Sequence, residues 1–205
     1  MKINRIRILF TNIFIINSKG KNILIDTGYP ITKGHFLKKI KYDIDFVILT
    51  HTHFDHSGNA IYLKERGSLI VVHENEKDWL LNGSTPPPPG VGTIGKNIMR
   101  FSFLKSFDFP PVEPDIVISD YREIAGLLVV HTPGHTPGSI SVIYEDVAFC
   151  GDLIMNLSWR PSSHLPIFAH NIKKVKESIK KLIDMGVGTF YPAHGRPVSV
   201  ERLKI

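Results

Sequence analysis

A chain of 205 residues with 42% hydrophobic and 21% charged content is long enough to bury one sizeable core, and its composition is neither disordered nor membrane-like. The formal charge of +6 raises nucleic acid as a partner, but no aromatic-basic interleaving accompanies it. The single cysteine, Cys150, excludes an intrachain disulfide and a cysteine-based zinc knuckle, and reads as a small core residue.

The first twenty residues contain an apolar run, but Thr11 and Asn12 interrupt it and it ends in a Ser-Lys-Gly-Lys turn rather than a small-residue cleavage site. They read as the first strands of a cytoplasmic protein. Ile13–Asn17 and Asn22–Asp26 flank a turn at Ser18–Lys21, which predicts a hairpin. A Gly-Tyr-Pro breaker precedes a short amphipathic helix near Lys33–Lys41. A strand at Phe46–Thr50, a helix opened by Gly58 and Asn59 and running to about Arg66, and a strand at Leu69–His73 follow. This β-α-β alternation predicts an α/β class.

Residues 82–114 break the rhythm with a Pro tetrad, four glycines and four phenylalanines. Within a single domain spanning 1–205, this stretch is expected to be a long loop, either a flap over the active face or a surface hairpin. Strands then resume at Ile116–Ser119, Leu127–His131, Ser139–Tyr144 and Asp146–Cys150. A helix over Asn171–Met185 places Ile172, Val175, Ile179 and Leu182 on one face and Lys173, Lys174, Lys176, Lys180 and Lys181 on the solvated side. A strand at Thr189–Tyr191 closes the pattern. FVILTHTH in the first half and LLVVHTPGH in the second form a faint internal repeat. The absence of glutamine, with abundant isoleucine and lysine, points weakly to a thermophile.

The chemistry concentrates at FVILTHTHFDHSGNA, residues 46–60. His51, His53, Asp55 and His56 lie within six positions at the end of an apolar strand. A buried imidazole needs a partner for each ring nitrogen, so such crowding makes sense if something binds all four. Residues two apart point the same way as a chain leaves a sheet, so His51 and His53 can converge on one point. The following turn can aim Asp55 and His56 at a second. Nitrogen and carboxylate donors without thiolate suit zinc, with iron or manganese as alternatives. His135, Asp152 and His194 each follow a further apolar strand.

LIDTG at 24–28, HTHFDHSG at 51–58, HTPGHTPGS at 131–139, CGD at 150–152 and PAHG at 192–195 together resemble the metallo-β-lactamase superfamily, in its glyoxalase II-like dinuclear branch. The resemblance spans nearly the whole chain and implies a four-layer αββα sandwich, two mixed sheets flanked by helices, with a metal site along one edge. It implies that His51, His53 and His135 hold one metal, Asp55, His56 and His194 a second, and that Asp152 bridges them. Asp26 would orient a ligand from behind. It further implies hydrolysis by a hydroxide bridging two zinc ions, with Asp55 as the catalytic residue that holds or relays its proton.

Departures from the pattern narrow the branch. Zinc β-lactamases carry a cysteine where this chain has Asp152, and acyl-homoserine lactonases a tyrosine where it has Met155. Glyoxalase II proper has a C-terminal helical extension that grips glutathione. The expected activity is therefore cleavage of a small-molecule ester, thioester or lactone, with possible promiscuity towards phosphoesters. The alternative is a phosphodiesterase or nuclease; nucleic acid is the weaker partner, and no membrane partner is expected. His131 reads as either a metal-site neighbour or a core residue, His73 as structural and His35 as solvated. Trp159, Arg160, His164 and His170 are candidates for touching substrate.

Overall fold

In the computed structural model, which describes residues 3–101 and 107–205, β1 (Ile3–Ile8) and β2 (Thr11–Ser18) form an antiparallel hairpin that continues into β3 (Lys21–Ile25). Next come α1 (Lys33–Lys39), β4 (Phe46–Ile48), α2 (Phe54–Ser57), α3 (Ala60–Lys64), β5 (Leu69–His73) and α4 (Glu74–Asn82). A short antiparallel ribbon, β6 (Ser84–Thr85) with β7 (Phe107–Asp108), brackets α5 (Gly92–Phe101), and β8 (Ile116–Ile118) completes the first half. The second half contains β9 (Tyr121–Ile124), β10 (Leu127–His131), β11 (Ile140–Tyr144), β12 (Val147–Phe149) and β13 (Met155–Asn156). It ends with α6 (Ile172–Asp184), β14 (Thr189–Tyr191), β15 (His194–Gly195) and β16 (Val198–Ser199).

Two six-stranded sheets result, in the orders β1-β2-β3-β4-β5-β8 and β16-β14-β12-β11-β10-β9. Each is mixed: β3 to β8 pair in parallel in the first sheet, and β12 with β14 in the second. Their central strands are apolar on both faces because each sheet is covered on both faces there, whereas the edge strands β1 and β9 carry exposed polar residues. Along β2, Ile13 and Ile15 face the helices while Phe14 and Ile16 enter the space between the sheets. β5 does the same with Ile70 and Val72 against Val71. Across the gap, Leu127 and Val129 of β10, Ile140 and Val142 of β11, and Phe149 of β12 meet that inner set. Burying each large side chain stabilises the fold by about 1.5–3 kcal/mol relative to exposure.

The outer layers are helical. Phe36 of α1, Leu63 of α3 and Leu80 of α4 cover the first sheet, and Val175, Ile179 and Leu182 of α6 cover the second. The five lysines of α6 stand exposed, as its periodicity requires. Asn171 caps this helix, its side chain accepting from Lys174 N at 3.0 Å, and Met185 ends it. The arrangement is the expected αββα sandwich. No described helix is long and apolar enough to cross a membrane.

Three local expectations differ. Residues 82–114 are not a structureless loop, since they carry α5 and the β6–β7 ribbon. Phe109 packs into the first core, whereas Phe103 and the side chains of Phe101 and Phe107 lie outside the described residues. The helix expected to open at Gly58 and Asn59 is α3, with Asn59 at its N-cap, but the short α2 that precedes it was not anticipated. Neither α4 nor β9 was anticipated, because α4 starts directly from β5 without an intervening breaker and β9 is largely exposed.

Candidate metal centre

All seven side chains expected to meet do meet, at the edge where β4, β10, β12 and β14 deliver their C-terminal ends. His51, His53, Asp55, His56, His135 and Asp152 are buried, and His194 is nearly so. Their donor atoms form overlapping groups, within 4.8 Å of one another in each: His51, His53 and His135; Asp55, His56 and His194; and His51, His56 and Asp152. At the first group, His53 Nδ1 lies 3.0 Å from His51 Nε2 and 3.1 Å from His135 Nε2. At the second, His194 Nε2 lies 3.2 Å from Asp55 Oδ2, and His56 Nε2 lies 3.6 Å from the same oxygen. Asp152 stands between them. Its Oδ1 is 3.3 Å from His194 Nε2 and 3.5 Å from His56 Nε2, while its Oδ2 is 3.6 Å from His135 Nε2.

Partners behind the rings set which nitrogen points inward. His135 Nδ1 donates to Phe168 O at 2.8 Å, and His194 Nδ1 to Phe10 O at 3.0 Å. His56 Nδ1 donates to Asp26 Oδ2 at 2.8 Å, and His51 Nδ1 lies 3.2 Å from Thr50 Oγ1, which itself donates to Asp26. In each of these four rings Nε2 is therefore the nitrogen left to face the donor groups. Asp26 achieves this from a left-handed backbone conformation, φ 59°, with Thr50 N donating to its Oδ1 at 2.8 Å. The expectation that it backs a ligand from behind matches these contacts.

Two glycines let the loops close. At Gly151, φ 50°, a Cβ would meet Thr50 Oγ1 at 2.5 Å, and at Gly195, φ 106°, it would meet Asn156 O at 1.9 Å. Side chains there would push away Thr50, or the β13–β15 pairing that sets His194 opposite Met155.

The electrostatics of the two groups differ. Burial holds His51, His53 and His135 below the ordinary histidine range, and neighbouring imidazoles reinforce this at the first two. Burial also acts against charge at His56 and His194, but facing carboxylates of Asp55 and Asp152 outweigh it and hold both well above that range. Burial likewise opposes charge on Asp55 and Asp152, yet the imidazoles of His56 and His194 keep both carboxyls below the usual range. Neutral imidazoles and ionised carboxylates are the states that bind divalent cations. The fit also shows in buried atoms that make only longer ion-pair contacts: among the described residues, His56 Nε2 and Asp152 Oδ1 have no hydrogen-bond partner. A lone pair from His51 and one from His135 face the same His53 nitrogen, and one proton could satisfy only one of them. A cation at each group would satisfy all of these atoms.

Two supporting residues escaped sequence reasoning. Glu76 is fully buried; its Oε2 accepts from Thr52 N at 2.9 Å and from Thr52 Oγ1, and its Oε1 from Gly138 N at 3.1 Å. It thus clamps the loop between His51 and His53 to the loop after His135. Burial raises its carboxyl pKa, against the pull of those donors. Thr11 Oγ1 donates to Asp55 Oδ2 at 3.1 Å. Only the acidic first turn of α4 hinted at Glu76, and nothing local marked Thr11.

Of the other histidines, His131 stacks on His73 at 3.9 Å and donates to Pro137 O, away from the donor groups. His170 stacks on Trp79 at 6.3 Å, and His164 accepts from Lys204 N at 3.0 Å. Above the donor atoms opens a cavity of about 350 Å³ whose walls include Phe54, Met155, Leu157, Trp159 and Phe168. Among the four candidates for substrate contact, Trp159 alone lines it. Pro88, from the 82–114 segment, completes a wall, and that segment is tied to the opposite loop by Val91 N to Ile167 O at 2.8 Å and Ala169 N to Pro89 O at 2.9 Å.

Residues 6–194 match the family described as the metallo-beta-lactamase superfamily. The chain is 31% identical over 197 residues to "Probable metallo-hydrolase MJ0888" of Methanocaldococcus jannaschii, covering 90% of this chain and 87% of that protein. It is 26% identical to the bovine "Acyl-coenzyme A thioesterase MBLAC2", over 94% of this chain and 75% of that one. Among solved structures, TTHA1623 in a di-iron-bound form shares the fold at a TM-score of 0.70, with 20% identity over 98% of this chain and 96% of that one. Family match and fold agree with the donor geometry: the chain belongs to the metallo-beta-lactamase superfamily.

Proposed function

We propose that the protein is a metal-dependent hydrolase of ester, thioester or lactone bonds, with His51, His53 and His135 holding one divalent ion and Asp55, His56 and His194 a second. Asp152 directs one carboxylate oxygen to each. The observation that carries this reading is that single residue, whose two oxygens approach both donor groups within 3.3–3.6 Å. Zinc suits the nitrogen and carboxylate donors, and iron or manganese are the alternatives. Such ions, when bound, supply a nucleophile at neutral pH and polarise the bond under attack.

The chain's own residues do the rest. Asp55 lines the cavity floor beside Asp152, and its carboxylate holds or relays the proton of the attacking water. His194 and Thr11 fix Asp55 in place from two sides. The apolar walls exclude bulk water from the reacting bond. Hydrolysis adds the water oxygen to the acyl carbon and returns a proton to the departing sulfur or oxygen. A relative named as an acyl-coenzyme A thioesterase supports the thioester as the first substrate to try.

Turnover of a panel of thioesters, lactones and phosphoesters by metal-loaded and chelator-treated protein tests this. The loaded protein should cleave acyl substrates and the chelated protein none; full turnover after demetallation would refute it. A second reading, phosphodiester cleavage, is favoured by one feature, a shallow depression of about 640 Å³ bordered by Arg196, Arg202 and Lys204. Salt-sensitive cleavage of a labelled oligonucleotide would support that reading instead.

A further inference from the structure

Resting on the hydrolase reading, we infer that the cavity above the donor groups is an acyl slot that selects an uncharged, apolar acyl chain, with Trp159 as a specificity-determining residue. The floor carries the charges: His53, Asp55, His135, Asp152 and His194. The walls include Phe54, Pro88, Leu157, Trp159, Ile167 and Phe168, and none of the wall residues carries a charge. Among the described residues, no lysine or arginine reaches this cavity to meet a carboxylate or phosphate on the bound part of a substrate. The nearest candidate in sequence, Arg160, is turned onto its own loop, where its Nη1 donates to Leu165 O at 2.5 Å.

Against the described walls a charged acyl chain would lose its hydration without gaining a partner, whereas an apolar chain gains from every methylene it buries. The volume of about 350 Å³ lies at the lower end of small-molecule sites, so the slot suits a short to medium chain rather than a bulky ring system. Trp159 marks the entrance. The residue is 58% exposed while still forming part of the wall, so an acyl chain seated in the slot would lie against its ring. With the acyl chain against the walls and its carbonyl over the floor, the leaving group points to the open mouth. The slot therefore reads the acyl half of the substrate and leaves the leaving group comparatively free.

The test is a series of thioesters of one thiol, from acetyl to decanoyl, with a glutaryl member whose chain ends in a carboxylate, offered to the metal-loaded protein. kcat/KM should rise roughly fourfold per methylene until the slot fills, then level off. Hexanoyl should exceed glutaryl by at least about 100-fold. Trp159→Ala should lower the hexanoyl-to-acetyl ratio about tenfold, and Leu157→Lys should move preference towards glutaryl. As a readout independent of turnover, a non-hydrolysable hexyl ketone analogue should bind more tightly than its methyl counterpart by calorimetry, with a more negative heat-capacity change. A chain-length profile that stays flat, or glutaryl cleaved as fast as hexanoyl, overturns the acyl slot and leaves the hydrolase reading standing. Failure to cleave any thioester, ester or lactone overturns both.

Discussion

The two donor groups flank the same aspartate, Asp152, yet are prepared in different ways. The His51, His53 and His135 group is built from rings that burial keeps neutral, so its lone pairs stand ready. The Asp55, His56 and His194 group is a set of buried ion pairs, with carboxylates drawing protons onto the imidazoles. In the metal-free chain, protons on the second group do the neutralising that a cation would do. A site can thus be preorganised by desolvation or by charge pairing, and the two routes predict different responses to pH, to substitution and to metal supply.

The largest effect should come from the residue common to both groups. Asp152→Ala should cost at least one bound metal and lower kcat/KM beyond the roughly 10- to 100-fold typical of losing a partner behind a ligand. Elemental analysis with steady-state kinetics checks it. Next in size is proton release. His56 and His194 are held well above the ordinary histidine range, so at neutral pH they carry protons that a metal must displace. Affinity at the second group should therefore rise with pH, about tenfold per unit for each proton released, until pH passes their raised pKa values. The first group has no such protons to lose. Calorimetric titrations in buffers of different ionisation enthalpy should show release for one metal and little for the other; equal release for both would erase the distinction.

Smaller changes should separate the supports. Asp26→Asn removes the carboxylate that accepts from His56 Nδ1 and should weaken metal binding about 10- to 100-fold. Glu76→Ala should act through the first group, because it frees the Thr52 and Gly138 loops and leaves their buried amides unpartnered. Each such amide costs about 1–3 kcal/mol, readable as a lower denaturation midpoint alongside poorer retention of metal. Lys176→Ala, on the solvated face of α6, should change stability by less than about 0.5 kcal/mol and leave both groups unaltered.

How much of this was legible depended on sequence distance. The group at 51–56 could be read because a strand and its exit turn place neighbours in sequence near one another in space. The helix α6 could be read because its apolar period runs uninterrupted, and its bounds, Ile172–Asp184, fall one residue inside those expected at each end. Glu76 could not, since its role lies in bonds to Thr52 and Gly138, 24 and 62 residues away, which no local pattern encodes. Proline and glycine in 82–114 suggested a loop, but tertiary contacts of Val91 and Gly95 with the 167–169 stretch accompany a helix there. The apolar character of the cavity was equally hidden, because its walls come from four separate segments.

Anomalous diffraction from crystals of the protein grown with excess zinc tests the central claim most directly. Two peaks are predicted, one against His51, His53 and His135, the other against Asp55, His56 and His194, with Asp152 touching both. A single peak elsewhere, or none among these seven side chains, would contradict it.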